Sequence, residues 1–159
     1  MATIIGTQDD DTLIGTSGRD IIYAGDGNDK LVGGLGNDQL FGEGGNDTLY
    51  GGLADREGHD HETDGDVISG GSGNDLLYGG FDVIADMYGD DGNDTLHGGG
   101  ALESFQSGGD GDDVLYGEAE TTFQYGGAGN DLIYGLGAET SIDGGSGNDS
   151  LYGGSASWI

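Results

Sequence analysis

The nine residues GGSGNDLLY beginning at Gly70 return with small changes along almost the whole chain, and this period constrains the fold more than any other feature. Cut in nines from Gly6, the chain reads GTQDDDTLI, GTSGRDIIY, AGDGNDKLV, GGLGNDQLF and GEGGNDTLY. Each unit has Asp at its sixth place and Leu or Ile at its eighth. Residues 51–69 keep both ends of the unit around the extra residues 54–63, which read as a loop inserted into one turn. From Gly70 the spacing doubles. Units begin at Gly70, Gly89, Gly108, Gly126 and Gly144, and the stretches between them lack the sixth-place Asp pattern. If successive units alternate between the two sides of a coil, residues 6–69 carry the motif on both sides and residues 70–154 on one side only.

Each unit has a simple physical reading. Glycine permits the positive φ of a tight bend and lets backbones come close. The short run after each Asp is a strand whose period-two alternation turns the eighth residue inward. Leu13, Ile22, Leu31, Leu40, Leu49, Ile68, Leu77, Leu96, Leu115, Ile133 and Leu151 then form an inner column. Met87, Phe105, Phe123 and Ile142 are expected to fill the same interior from the side that lacks the motif. One unit alone buries almost nothing, so stability must come from stacking neighbours. The length of 159 residues suits one such domain, 1–159.

Charge narrows the partners. Lys and Arg number 3 against 31 Asp and Glu, a formal charge of −28, and Gly numbers 39. Low hydrophobicity with such a charge describes a disordered chain unless something neutralises it. A chain this acidic repels nucleic acid and anionic membrane surfaces, so no nucleic-acid partner and no membrane insertion are expected. Its natural counterpart is a cation. Without cysteine there is no disulfide framework, and a metal is the usual staple for a small extracellular domain. No apolar run approaches the roughly 20 residues that span a bilayer. The start, MATIIGTQDDD, has neither the basic region nor the apolar stretch of a cleavable signal peptide.

Glycine-rich turns expose carbonyls and each sixth-place Asp supplies charge. An oxygen-only donor set of this kind suits calcium, which takes about 6–8 oxygen ligands and accepts backbone carbonyls readily. Asp side chains aligned at a strand spacing of roughly 4.8 Å would repel one another severely without a cation between them.

The pattern G-G-x-G-x-D-x-U-x resembles the repeat of the RTX (repeats-in-toxin) family over nearly the whole chain. The resemblance implies an all-β fold, a right-handed parallel β-roll or β-helix solenoid with calcium held between loops of successive coils. In the family one loop offers the carbonyls of places two and four with its Asp, and the next loop on that side offers those of places one and three with its Asp. Carried over, a continuous ladder starts at Asp11, in a loop that lacks two of the family's glycines. It continues through Ala24, Gly25, Asp26 and Gly27 with Asp29, and Gly42, Glu43, Gly44 and Gly45 with Asp47. Next come Gly70, Gly71, Ser72 and Gly73 with Asp75, then Gly89, Asp90, Asp91 and Gly92 with Asp94. The C-terminal part uses Gly108, Gly109, Asp110 and Gly111 with Asp113, Gly126, Gly127, Ala128 and Gly129 with Asp131, and Gly144, Gly145, Ser146 and Gly147 with Asp149. A short ladder on the opposite side uses Asp20, Asp38 with Gly34 and Gly36, and Asp66. Seven gaps on one side and two on the other imply about nine calcium ions, which would bring the formal charge from −28 to −10. The resemblance further implies a bacterial protein secreted by the type I route to the cell surface or beyond. The end of the chain, SLYGGSASWI, does not resemble that route's non-repetitive C-terminal signal.

Two other features have functional readings. His59, Asp60, His61, Glu62 and Asp64 lie together in the inserted loop, where imidazole and carboxylate suit zinc or copper, although an exposed, solvated loop is the preferred reading. The ninth places of the continuous side face outward and include Tyr50, Tyr78, His97, Tyr116, Tyr134 and Tyr152, an aromatic strip that offers an interaction face. Tyr also favours strands for its own sake. Self-association and binding of a polysaccharide are the partner classes this strip leaves open, and the strand edges at the two ends of a roll invite end-to-end stacking of copies. The aligned Asn74, Asn93, Asn130 and Asn148 supply only half of the array an ice-binding relative presents, since the third places lack a regular Thr. No nucleophile–base pairing is visible around His59, His61 or His97, so catalysis is not expected. The reading is a calcium-dependent binding or structural module, with a self-assembling filament or surface-layer subunit and a carbohydrate- or ice-binding adhesin as the alternatives.

Overall fold

The computed structural model describes residues 1–53, 65–81, 84–154 and 157–158. The inserted loop 54–63, with His59, Asp60, His61 and Glu62, and the neighbouring Asp64 lie outside the described residues. The chain winds as an all-β parallel solenoid of about eight turns, with no helix among the described residues. Every turn contributes one strand to each of two parallel sheets. The nine-stranded sheet holds β1 (Ala2–Ile5), β3 (Asp20–Asp26), β5 (Gln39–Gly44), β7 (Gly65–Ser72), β9 (Ile84–Asp91), β11 (Glu103–Asp110), β13 (Thr121–Ala128), β15 (Glu139–Ser146) and β17 (Ser157–Trp158). The eight-stranded sheet holds β2 (Thr12–Ile14), β4 (Lys30–Leu35), β6 (Thr48–Leu53), β8 (Leu76–Tyr78), β10 (Thr95–His97), β12 (Val114–Gly117), β14 (Leu132–Gly135) and β16 (Ser150–Gly153). Consecutive units therefore alternate sides, and strands with the same parity stack in register.

The core is a single file of side chains between the sheets. Ile22, Leu31, Leu40, Leu49, Ile68, Leu77, Leu96, Leu115 and Ile133 are fully buried, and Leu13 and Leu151 pack against them at the two ends. Each fully buried Leu or Ile contributes roughly 1.5–3 kcal/mol by leaving water. No rung is stable alone, because its inward side chain is covered by the rungs on either side.

Met87 and Ile142 join this core, but Phe105 and Phe123 do not; they are 36% and 45% exposed. Their inward neighbours are polar. Gln106 lies in register with Met87, and Gln124 with Ile142. The cause is strand parity. The first-place glycine of each loop is an inward position, so the residue two before it is inward as well. Counting back from Gly108 and Gly126 gives Gln106 and Gln124 and turns the two Phe side chains out. The buried amide nitrogens are paired. Gln106 Nε2 donates to the Tyr116 carbonyl at 2.8 Å, and Gln124 Nε2 donates to Gln106 Oε1 at 2.8 Å.

Candidate metal centre

The sixth-place carboxylates form two stacked ladders. On the continuous side the N–H of each Asp donates to Oδ1 of the Asp one turn further on. The bonds run from Asp11 to Asp29 (2.6 Å), Asp29 to Asp47 (2.7 Å), Asp47 to Asp75 (2.7 Å), Asp75 to Asp94 (2.8 Å), Asp94 to Asp113 (2.8 Å), Asp113 to Asp131 (2.9 Å) and Asp131 to Asp149 (3.0 Å). On the other side Ala2 N–H donates to Asp20 (2.6 Å), Asp20 to Asp38 (2.8 Å) and Asp38 to Asp66 (2.7 Å). Beyond Asp66 that column continues in register as Ala85, Ser104, Thr122 and Thr140, all buried and neutral.

The ladder uses one carboxylate oxygen and leaves the other. Oδ2 of Asp29, Asp47, Asp75, Asp94, Asp113 and Asp131 is buried and accepts no hydrogen bond among the described residues. Burying a carboxylate oxygen without a partner is costly, so the atom asks for a counter-ion or a proton. The surroundings supply further oxygens. A Cβ placed on Gly70, Gly89, Gly108 or Gly126 would collide with Oδ2 of its own loop's Asp and with the first-place carbonyl of the next loop. The same holds for Gly33 and Gly51 beside Asp38 and Asp66. First-place glycine thus keeps open a space where oxygens of two turns meet, a role its flexibility alone does not explain.

The backbone aims other carbonyls at the same gaps. The fourth-place N–H of one loop donates to the third-place carbonyl of the next, as from Gly45 to Ser72 (2.7 Å), Gly73 to Asp91 (2.8 Å), Gly92 to Asp110 (2.7 Å) and Gly111 to Ala128 (2.7 Å). These third-place carbonyls therefore point back. Second- and fourth-place carbonyls point forward, since Glu43 and Gly45 oxygens lie against Gly71 and Gly73 of the following loop. This orientation needs positive φ at places two and four, as in Gly71 (103°) and Gly73 (137°). Glu43 (74°) and Asp90 (75°) hold the same conformation without being glycine. Among the described residues no cluster of His, Cys, Asp and Glu side chains could hold an ion alone. Any ion here must draw on the carbonyls.

Electrostatics marks the middle of the continuous ladder. Burial, reinforced by the neighbouring carboxylates, raises Asp47 and Asp75 to about 6 and Asp94 and Asp113 to about 7, and it raises Asp131 in the same way. Asp20 behaves differently. Burial pushes it up, but the N–H and hydroxyl of Thr16 donate to its Oδ2 and leave it below the usual carboxylate range.

Two further columns flank the site. At the fifth place the N–H of Asn46 donates to Asn28 Oδ1 (3.0 Å), that of Asn74 to Asn46 (2.6 Å) and that of Asn93 to Asn74 (2.7 Å). The column continues through Asp112, Asn130 and Asn148, so Asn serves as a rung-to-rung tie. On the outer face Tyr50, Tyr78, His97, Tyr116, Tyr134 and Tyr152 stack ring on ring, with centroids 4.6–5.3 Å apart and planes within 14° of parallel. Lys30 Nζ stands 5.5 Å from the Tyr50 ring centroid.

Fold and site together define a parallel β-solenoid whose turns present oxygen-lined gaps suited to a hard cation. The family model described as the RTX calcium-binding nonapeptide repeat (4 copies) matches residues 5–40, 27–55, 62–82, 86–101, 107–120 and 125–157, and the chain belongs to this calcium-binding family. No curated protein matches it.

Proposed function

We propose that this chain is a secreted module that folds on binding calcium and presents a rigid surface. The observation that carries the reading is the row of buried, donor-less Oδ2 atoms of Asp47, Asp75, Asp94, Asp113 and Asp131, each beside a carbonyl of the next turn. In each gap calcium would be held by second- and fourth-place carbonyls of one loop, first- and third-place carbonyls of the next, and the two carboxylates. It would supply the charge that lets the rungs stack. Seven gaps lie along the continuous ladder and two along the short one. Secretion fits the reading because RTX repeats are typical of secreted bacterial proteins, and such repeats are typically non-catalytic. Circular dichroism tests it. The metal-free chain at neutral pH should be a coil that becomes β structure with calcium and not with magnesium, which resists irregular carbonyl cages. A folded metal-free chain at neutral pH would sink the proposal.

A second reading, assembly of copies end to end, is favoured by the terminal strands. Among the described residues β2 and β16 each have one hydrogen-bonded neighbour, and Ile14 and Tyr152 on them are exposed. Light scattering with and without calcium separates the two. A polysaccharide fits the aromatic column less well, because its rings bury their faces on one another and offer a sugar only edges and hydroxyls.

A further inference from the structure

The first loop of each ladder closes on its own carboxylate. Thr7 and Thr16 occupy the second place. Thr7 N–H and Oγ1–H both donate to Asp11 Oδ2, at 2.7 and 2.8 Å. Thr16 N–H and Oγ1–H donate to Asp20 Oδ2 in the same way, at 2.5 and 2.7 Å. Each hydroxyl oxygen also takes an N–H from two residues on, Asp9 at 3.2 Å and Gly18 at 3.3 Å. These Oδ2 atoms face the gaps to the next loops. Beside Asp11 Oδ2, at Gly6, lies the Ala24 carbonyl, and beside Asp20 Oδ2, at Gly15, lies the Gly33 carbonyl.

The contrast with the later loops is chemical. In Asp29, Asp47, Asp75, Asp94, Asp113 and Asp131 the gap-facing oxygen has no donor. In Asp11 and Asp20 two hydrogens point at that oxygen. A carboxylate oxygen has about two lone-pair directions, so both are used. A divalent cation entering the gap would meet two partial positive charges where the later gaps of the continuous ladder offer a bare oxygen.

We propose that Thr7 and Thr16 stand in for the ion in the Asp11–Asp29 and Asp20–Asp38 gaps, so that calcium occupancy begins at Asp29–Asp47 on one side and Asp38–Asp66 on the other. The inference rests on the calcium reading above and refines it. Of the nine gaps, about seven then take an ion. The first turn is held by protein groups alone. In a solenoid each rung templates its neighbour, so this turn gives the stack a starting rung that needs no calcium.

The test is the number of ions bound by the full chain at saturating calcium, measured by equilibrium dialysis with metal analysis and by native mass spectrometry. The parent should hold about seven, and a Thr7→Gly/Thr16→Gly variant about nine. Thr7→Ser/Thr16→Ser, which keeps both hydroxyls, should match the parent. Because the glycine variant could fold poorly, Asp11→Asn is the second probe. It should leave the ion number unchanged, whereas Asp47→Asn should lower it. A parent that binds about nine ions, or an Asp11→Asn variant that loses one, overturns the inference and leaves calcium binding intact. A parent that binds none overturns both.

Discussion

The N–H of Asp94 donates to Oδ1 of Asp113 at 2.8 Å, while the other oxygen of that carboxylate is buried without a donor. One oxygen sets the register of two turns and the other is left in the gap. The site is therefore inseparable from the fold: the group that aligns the rungs is also the group whose charge must be neutralised before they can close.

Acid should partly replace calcium. Asp94 and Asp113 rise to about 7, and Asp47 and Asp75 to about 6, from an ordinary 3.8. A carboxyl whose folded value is raised favours the fold when protonated. That contribution is complete below about 3.8 and is lost as pH climbs to about 7. The metal-free chain should thus gain β structure as pH falls through this window. Calcium affinity should move the opposite way, since binding requires the charged form. Circular dichroism in chelator from pH 4 to 8 reads the first effect, and an unchanged spectrum across that range counts against the ladder as drawn.

The two ladders should respond unequally to loss of a carboxylate. Asp113 borders two gaps in a part of the chain where the opposite column is neutral Ser104 and Thr122. Asp113→Ala should remove about two ions and uncouple the C-terminal rungs, because a solenoid transmits stability only through neighbours. Asp20→Ala leaves the continuous ladder intact across the coil and should cost less in both bound calcium and melting temperature. Equal losses would mean that the parity of the coil does not matter energetically.

Much of this was legible in the sequence, because period and chemistry coincide in the nine-residue unit. The inner column, the alternation of sides and the places of Asp11 to Asp149 follow from counting. Phe105 and Phe123 depart from the expectation because strand parity, not hydrophobicity, decides which side chains face inward. Counting back two from Gly108 and Gly126 points to Gln106 and Gln124, joined by one amide hydrogen bond inside the roll. Thr7 and Thr16 were visible only as missing glycines. That a hydroxyl in that place reaches the carboxylate four residues on depends on backbone geometry, which spacing alone does not reveal.

Glu43 and Asp90 hold a left-handed backbone that an L side chain resists, with φ of 74° and 75°. Such residues store on the order of 1 kcal/mol each. Glu43→Gly should therefore stabilise the calcium-loaded protein by about that amount, after allowance for the larger entropy of an unfolded glycine. Asp90→Gly should gain less, because it forfeits the bond from Ser69 Oγ to Asp90 Oδ2 at 2.6 Å. Thermal melts at saturating calcium compare the two, and a destabilised Glu43→Gly would assign that side chain a contact of its own.

A methyl in a gap should weaken its ion and spare the fold. A methyl at Gly126 would collide with Oδ2 of Asp131 and the Gly144 carbonyl, the two oxygens that meet there. The backbone itself tolerates a Cβ at this place, as Ala24 shows in the third loop. Gly126→Ala should therefore weaken calcium binding in the Asp131–Asp149 gap with a modest loss of melting temperature. Ala24→Gly should tighten binding in the Asp29–Asp47 gap. Gly18→Ala is the control, since nothing lies within 4 Å of a Cβ built there. Calcium titration calorimetry on the three variants decides the matter. If Gly126→Ala and Gly18→Ala bind calcium alike, the space in front of the first-place glycine is not where the ion sits.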